Sequence, residues 1–386
     1  MAGGVSDVSN GREFHLLVLP GDGIGPEIVA QTLRVVDWFG DRLGVSFDVE
    51  QAAVGGASID ECGAPISDAV MEKARRADAV LFGAVGGPDW DDLPRAKRPE
   101  MGILRLRKDL DLFANLRPAV NFPEIIGASS LRPEVVEAID IMIVRECTSG
   151  VYFGEPRGMS VDDAGKRRAV DTQAYSETEI ERVCRAACGI ARGRSSRVCS
   201  VDKANVMETG QLWRAVATEV GRDYPDVELT HMYADNCAMQ LLRDPRQFDV
   251  IVADNLFGDI LSDEAAALSG SLGLLPSATL NMAGGAGSKH ALYEPIHGSA
   301  PDIAGRGIAN PLASILSFGM CLHYSLDASG ASDLLVHAIR TVLARGIRTA
   351  DIAAAGEQSV PGVAMTDAVL DALGELAGGA QKVMPS

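Results

Sequence analysis

Short apolar runs recur along this chain, each closing on glycines or polar residues, and segments with helical spacing lie between many of them. The first run, "HLLVL" (His15–Leu19), leads into "PGDGIGPE", after which apolar side chains return at Val29, Leu33, Val36, Phe39 and Leu43. Steps of three and four residues predict a helix with a buried stripe, and Pro26 suits its first turn, where a missing N–H costs no intrahelical bond. The runs "DAVLFGAVGG", "IDIMIVREC", "SRVCSVDKAN" and "FDVIVADN" read as buried strands. The alternation predicts an α/β fold. Because open α/β sheets collect ligands beyond the carboxyl ends of their strands, function is sought among the polar residues there. Residues 281–291 ("NMAGGAGSKHA") and 356–362 ("GEQSVPG") read as surface loops, and the tail "GGAQKVMPS" as frayed.

With 386 residues, 47% of them hydrophobic, the chain has room for a large core divided between two domains. A formal net charge of -18 argues against a general binder of phosphate backbones, which relies on clustered Lys and Arg. An anionic substrate then requires a local basic pocket. No apolar segment is long enough to span a bilayer, and "MAGGVSDVSNGREF" lacks the apolar core of a signal peptide. The expectation is a cytoplasmic protein without nucleic-acid or membrane partners. The 7 cysteines are scattered and form no C-x-x-C pair, so free thiols are the simplest reading. Cys184 and Cys188 share a probable helix face, where small buried hydrophobes are commoner than metal ligands.

"GDGIG" invites a dinucleotide-binding reading, but Gly21, Gly23 and Gly25 give G-x-G-x-G and a proline follows at once. A tight structural turn accounts for it at least as well.

From Pro99 a helix aligns Glu100, Ile103, Leu104 and Arg107 on one face. An ordinary amphipathic helix would look similar. Arg117 in "NLRP" and Arg145 at the end of "IDIMIVRE" shift the balance, because guanidinium forks bind carboxylates in pairs. Three such groups in an acidic chain point to a small substrate with more than one carboxylate, to which Ile103 and Leu104 offer an apolar contact.

In "DNLFGDILSDEAA", Asp259 and Asp263 are four apart and project from one helix face. Asp259 can be read as a helix-start residue favoured by the dipole, whereas Asp263 sits a turn deeper. Asp235 in "MYADN" is a third carboxylate following an apolar stretch. Oxygen ligands of this kind suit Mg²⁺ or Mn²⁺.

Six long stretches in this order, "LPGDGIGPE", "GILRLRKDLDLFANLRP", "VRECTSGVYFGEPRG", "VDKANVMETGQLWR", "NLFGDILSDEAAALSGSLGLLPSA" and "YEPIHGSAPDIAGRGIANP", resemble the β-decarboxylating isocitrate/isopropylmalate dehydrogenase family. The resemblance implies that family's two-domain α/β fold with a mixed sheet, not a Rossmann fold. Residues 1–112 and 270–386 would form the first, cofactor-binding domain, and residues 113–269 the second. It also implies a homodimer with shared active sites, a small dicarboxylate substrate, NAD, and Mg²⁺ or Mn²⁺.

Carried onto matching positions, Arg107, Arg117 and Arg145 are the carboxylate clamp, and Asp259 and Asp263 are metal ligands, with Asp235 supplied by the other subunit. Lys203 matches a base from the other subunit, and Tyr152 an acid that protonates the enol. Glu100, Ile103 and Leu104 match side-branch recognition, joined by Asn205 and Val206 from the second subunit. Ile24, Glu294, His297, Gly298, Ser299, Ala300, Asp302, Ile303 and Asn310 match the cofactor side, where Asp302 favours NAD because its carboxylate repels a 2'-phosphate.

The "E-x-G-I-L-x-L-R" pattern is that of the isopropylmalate branch. It implies oxidative decarboxylation of 3-isopropylmalate to 4-methyl-2-oxopentanoate in leucine biosynthesis. The alternatives are the same chemistry on D-malate or tartrate, and a noncatalytic metabolite-binding subunit that could dispense with Lys203, Tyr152 or a metal aspartate. Cys147 and Cys237 depart from the usual Leu and Ala, and the 281–291 loop is longer than many counterparts.

Overall fold

The computed structural model describes residues 12–128, 131–269, 271–282, 290–354 and 356–381. In chain order the strands are β1 (Arg12–Gly21), β2 (Val45–Gln51), β3 (Ala79–Ala84), β4 (Ala114–Val120), β5 (Asp140–Glu146), β6 (Gly154–Val161), β7 (Arg167–Thr172), β8 (Arg197–Asp202), β9 (Glu228–Tyr233), β10 (Val250–Ala253), β11 (Pro276–Leu280) and β12 (Ala291–Pro295). The helices are α1 (Gly25–Leu43), α2 (Gly56–Cys62), α3 (Asp68–Arg76), α4 (Glu100–Asp109), α5 (Pro133–Val136), α6 (Glu177–Arg192), α7 (Glu208–Arg222), α8 (Ala234–Arg243), α9 (Asn255–Ser269), α10 (Leu312–Tyr324), α11 (Ser329–Ala344) and α12 (Gly362–Gln381).

Ten strands form one sheet in the order β2-β1-β3-β12-β11-β4-β5-β10-β8-β9, and β6 and β7 form a separate hairpin. The wing β2-β1-β3-β12 is parallel, as is the wing β5-β10-β8-β9. Antiparallel β11 and β4 join them. The two wings therefore run in opposite directions, which a uniformly parallel Rossmann sheet does not do. The carboxyl-end rule holds for Arg145 at the end of β5 and for Lys203 just beyond β8. It misses Arg117, which projects from within β4.

Helix α1 buries Val29, Val36, Phe39 and Leu43 of the predicted stripe, while Leu33 is half-buried against the same core. Gly44 ends the helix in the left-handed region (φ 64°), where a glycine avoids the Cβ clash. Phe39 packs against Phe318 at 6.1 Å between ring centroids, and burying such a ring contributes about 1.5–3 kcal/mol. One apolar cluster joins Phe14, Phe39 and Phe113 to Val183 and Trp213, so both wings share packing. Helix α6 opens with a capping box between Ser176 and Glu179 and buries Cys184 and Cys188 as small core residues. All seven cysteines are free thiols, of which Cys62 alone is exposed.

The predicted tail is corrected in part: α12 continues through Gly378 to Gln381, with 382–386 outside the described residues. Most of the 281–291 segment, 283–289, also lies outside them, whereas 356–361 is a loop as predicted. No helix among the described residues is long and apolar enough to cross a membrane.

Candidate active site

Three arginines predicted from separate motifs converge beside the centre of the sheet. Arg145 on β5 pairs in register with Asn115 on β4, and Arg117 stands two residues further along that strand, so the pleat places all three side chains on one face. Helix α9 packs across this face. Gly258 permits its close approach, because a Cβ there would stand 2.8 Å from the Arg145 Cβ. Arg145 is 2% exposed, and its Nε and Nη2 donate to Asn255 Oδ1 at 3.1 and 2.7 Å while Nη1 donates to Asp259. Arg117 donates from Nε to Asn115 Oδ1 (2.7 Å) and from Nη1 to Ser262 Oγ (2.8 Å) and Asp263 Oδ1 (3.1 Å). Arg107, at the end of α4, donates to Glu294 Oε1 at 2.7 Å, leaving its buried Nε without a partner.

Burial and two neighbouring guanidiniums, first Arg117 and then Arg107, bring the Arg145 pKa down to about 10. It remains a cation at neutral pH. Burial also opposes ionisation of Asp259, but Arg145 and Arg117 outweigh it and hold that carboxyl below its ordinary range. Tyr152 lies in a turn after β5 and donates to Asp259 Oδ2 at 2.8 Å. Burial and the Asp259 charge raise its pKa, so the phenol keeps its proton at neutral pH.

The helix-start role suggested for Asp259 belongs to Asp254, whose Oδ1 accepts from Phe257 N at 2.8 Å. Asp259 sits one turn into α9 and faces the arginines. Asp263, a turn further on, is largely exposed, with its pKa raised by burial and by Asp259 against the pull of Arg117. The like-charge cost of this pair is thus offset by guanidiniums.

Of the other α4 positions, Ile103 leans into the apolar cluster beneath the helix. Leu104 lines a cavity of about 660 Å³ together with Met101, Lys108, Tyr152 and Phe153, while Glu100 is exposed. Lys203 pairs with Asp235, not with the arginine–aspartate cluster, and Asn205 and Val206 beside it are exposed, Val206 to 70%. Among the described residues, Glu13, His15 and Asp48 alone are grouped closely enough to share an ion within one chain. They are exposed and lie towards the amino end of β1, away from the arginines. Asp259 and Asp263 nevertheless fit a hard cation. They present oxygen-only donors on one helix face, and guanidiniums already occupy the place of a positive charge.

On the cofactor side, the opening glycine turn is structural. Gly21 and Gly23 take positive φ, and a Cβ on Gly23 would stand 2.1 Å from Ser299 O. Ile24 N donates to that same carbonyl at 2.8 Å, bringing Ile24, His297, Gly298, Ser299 and Ala300 together. His297 Nδ1 donates to Gly298 O at 3.0 Å, while its buried Nε2 has no partner. An unsatisfied buried nitrogen beside a glycine cradle fits a polar ligand. Asp302 is exposed and Ile303 packs on the core. Glu294 is committed to Arg107, and the Asn310 amide to Asp351 and Leu312 N.

The model for the isocitrate/isopropylmalate dehydrogenase family matches residues 15–369. The chain belongs to this family. It is 57% identical to a 3-isopropylmalate dehydrogenase of Rhodospirillum rubrum over 94% of this chain and 98% of that one. It is 58% identical to that of Ruegeria pomeroyi, over 91% and 95% respectively. The crystal structure of isocitrate dehydrogenase from Methylococcus capsulatus superposes with a TM-score of 0.82 at 32% identity, covering 93% of this chain and 99% of that one. A β-decarboxylating dehydrogenase from Thermococcus kodakarensis gives 0.76 at 35%, covering 97% and 99%.

Several polar residues of this family member carry the site's geometry and escaped the sequence reading. Asp22, inside the glycine turn, accepts from the backbone N–H of Gly56, Ala57 and Gly86, each at 2.8 Å. Glu146 is fully buried among Thr148, Ser149 and Tyr175. Burial raises its pKa. Asn115, Asn255 and Ser262 hold the guanidiniums. The signal that could have found them was present: polar residues at core-facing strand or helix positions beside predicted arginines.

Cys147 donates to Leu112 O at 3.0 Å, and burial pushes its thiol up to about 12. Cys237 is likewise buried and inert by the same cause.

Proposed function

We propose that this chain oxidises and decarboxylates 3-isopropylmalate to 4-methyl-2-oxopentanoate with reduction of NAD, the step that serves leucine biosynthesis. The observation that carries the reading is the meeting of Arg107, Arg117 and Arg145 with Asp259, Asp263 and Tyr152 beside the Leu104 cavity, in a chain so similar to relatives of that name.

Arg107, Arg117 and Arg145 bind the two carboxylates and fix the diacid's orientation by paired N–H donors. Leu104, with Glu100 and Ile103 on the same helix, selects the branched alkyl group, since an additional carboxylate would lose hydration against Ile103 and Leu104. Tyr152 keeps a proton ready for the enol carbon. Asp259 and Asp263, completed by Asp235 of a second copy, would hold Mg²⁺ or Mn²⁺, which when bound supplies Lewis acidity to the substrate's oxygens.

Lys203 of that second copy removes the hydroxyl proton, and Asn205 and Val206 beside it complete the side-branch pocket. The exposure of Val206 and the separation of the Lys203–Asp235 pair from the arginines support this homodimeric arrangement. Ile24, Glu294, His297, Gly298, Ser299, Ala300, Asp302, Ile303 and Asn310 would seat NAD, which when bound accepts the hydride. The domain division proposed at residues 1–112 with 270–386, and 113–269, follows the boundary between β11 and β4.

The test is NADH formation with a panel of 2-hydroxy diacids and both nicotinamide cofactors. Turnover of 3-isopropylmalate with NAD and Mg²⁺ supports the assignment. Its absence beside strong turnover of D-malate or tartrate would transfer the same chemistry to another substrate. Absence of turnover with every diacid would sink the enzymatic reading.

A further inference from the structure

Arg145 has two anchors among the described residues, and the proposed function commits one of them, Asp259, to a cation. The other is Asn255, which is fully buried at the first position of α9. Its Oδ1 accepts from both Nε and Nη2 of Arg145, at 3.1 and 2.7 Å, which fixes the plane of the guanidinium and turns Nη1 towards Asp259. Its Nδ2 donates to Ser149 O at 2.9 Å. The carboxamide cannot reverse, because a flipped group would set N–H against N–H and oxygen against a carbonyl. Its backbone N–H is held separately by Tyr175 Oη at 2.9 Å.

Ser149 immediately precedes the turn Gly150–Tyr152, and Tyr152 donates to Asp259 Oδ2 at 2.8 Å with the Arg145 guanidinium 5.5 Å from its ring centre. We propose that Asn255 is a positioning residue for the decarboxylating reaction, setting the Arg145 fork for a substrate carboxylate with one end of its amide and the Tyr152 turn with the other. The proposal rests on the functional reading above. It adds that the arginine clamp and the acid are held by a single side chain that touches no reacting atom. When Asp259 turns to a cation, Asn255 is what keeps Arg145 aimed.

The two ends of the amide can be cut separately. Asn255→Asp keeps an acceptor for Arg145 but sets a second oxygen against Ser149 O. It should leave the diacid KM within a few-fold of wild type while lowering kcat and displacing its pH profile. Asn255→Ala removes both ends and should raise the diacid KM about tenfold or more, as expected for a lost hydrogen bond to a charged group, with the NAD KM unchanged. On an Arg145→Met background the same alanine change should add almost nothing to the KM. A merely structural role would instead move the KM for both substrates alike and add in full to Arg145→Met.

Either that pattern or wild-type kinetics in both variants overturns the proposal. Dicarboxylate-induced shifts in melting temperature, read on the same proteins, cover a variant too slow to assay. Wild type that turns over no diacid yet shows such a shift, lost in Asn255→Ala, would sink the proposed reaction and leave the positioning of Arg145 standing.

Discussion

Replacing Asp259 with asparagine keeps the side chain's size and removes the charge that Arg145 and Arg117 share. Arg145 is 2% exposed and Arg117 9% at the side chain, so neither recovers its lost partner from water. Breaking a buried ion pair by deleting one member costs about 3–5 kcal/mol. Here the upper half of that range does not apply, because Asp259 is 30% exposed and Asp263 still reaches Arg117 at 3.1 Å. The amide oxygen also still accepts a hydrogen bond, which leaves a destabilisation of about 2–3 kcal/mol.

Spread over the unfolding entropy of a chain this long, that loss lowers the melting temperature by about 3 °C. The discriminating arm is the ligand. In Asp259→Asn Arg145 stands without its counter-charge and Arg117 keeps only Asp263, so a dicarboxylate added without divalent cation should raise the melting temperature more than it does in wild type. At a hundred times its dissociation constant the gain is about 2.7 kcal/mol, enough to recover the loss. Differential scanning fluorimetry with and without the diacid, in chelator, measures both. An unchanged melting point, or a dicarboxylate that stabilises wild type as much as the variant, would refute the view that Asp259 occupies the arginines in the ligand-free protein.

Burial raises the Asp254 pKa to about 6, so between its ordinary value and pH 6 the folded state binds the extra proton. The stability tied to this group is therefore full below about pH 4 and falls as pH rises through 6. Asp254→Asn should flatten that decline in urea melts and stabilise the protein at pH 8 by about 1–3 kcal/mol, because asparagine also caps helices. The buried Gln173 Oε1, without a partner now, is free to accept from the new amide after a flip. A steeper decline in the variant would contradict the argument. Asp302→Arg should weaken NAD use more than metal binding, and Glu100→Ala should alter side-branch preference more than hydride chemistry. Equal losses with all substrates and both cofactors would count against that division. Cys62, the exposed thiol, should be the one labelled by a thiol reagent in the native protein, and Cys62→Ser should abolish the reaction. Labelling that persists would mean a buried cysteine is reached.

The elements were legible where one period dominated, as in the stripe of α1 and the apolar run of β3. The antiparallel centre was legible only as the mixed sheet that the resemblance implies, because β4 (ANLRPAV) and β11 (PSATL) interrupt their apolar residues with polar ones and proline, and direction leaves no mark on composition. The arginines were readable as an excess of cation at element ends in an acidic chain. Their restraints were not: Asn115, Asn255 and Ser262 are polar residues of a kind that caps and turns also use, and it takes the register of β4 with β5 and the packing of α9 across that face to bring them to the guanidiniums. The helix-start alternative for Asp259 stood beside its reading as a metal ligand because the chain supplies two aspartates near that start, and the structure gives the cap to Asp254.

Charge balance explains why the site combines arginines with carboxylates instead of using arginines alone. Arg107, Arg117 and Arg145 face Glu294, Asp259 and Asp263, so the cluster is neutral before any ligand arrives. A bare group of three buried guanidiniums would repel itself, and that repulsion adds to burial in lowering the pKa of Arg145. A diacid entering this neutral cluster brings two negative charges into a partly buried space, where an uncompensated charge is costly. In the proposed function a divalent cation held by Asp259 and Asp263 would offset them and would release the arginines for the incoming carboxylates. Asp259, which is the counter-ion to Arg145 and Arg117, would on that proposal couple the two ligands by turning from arginine to metal. Glu294 makes the corresponding link from Arg107 towards the proposed NAD loop, so the charged partners of the arginines divide between two proposed neighbours of the substrate.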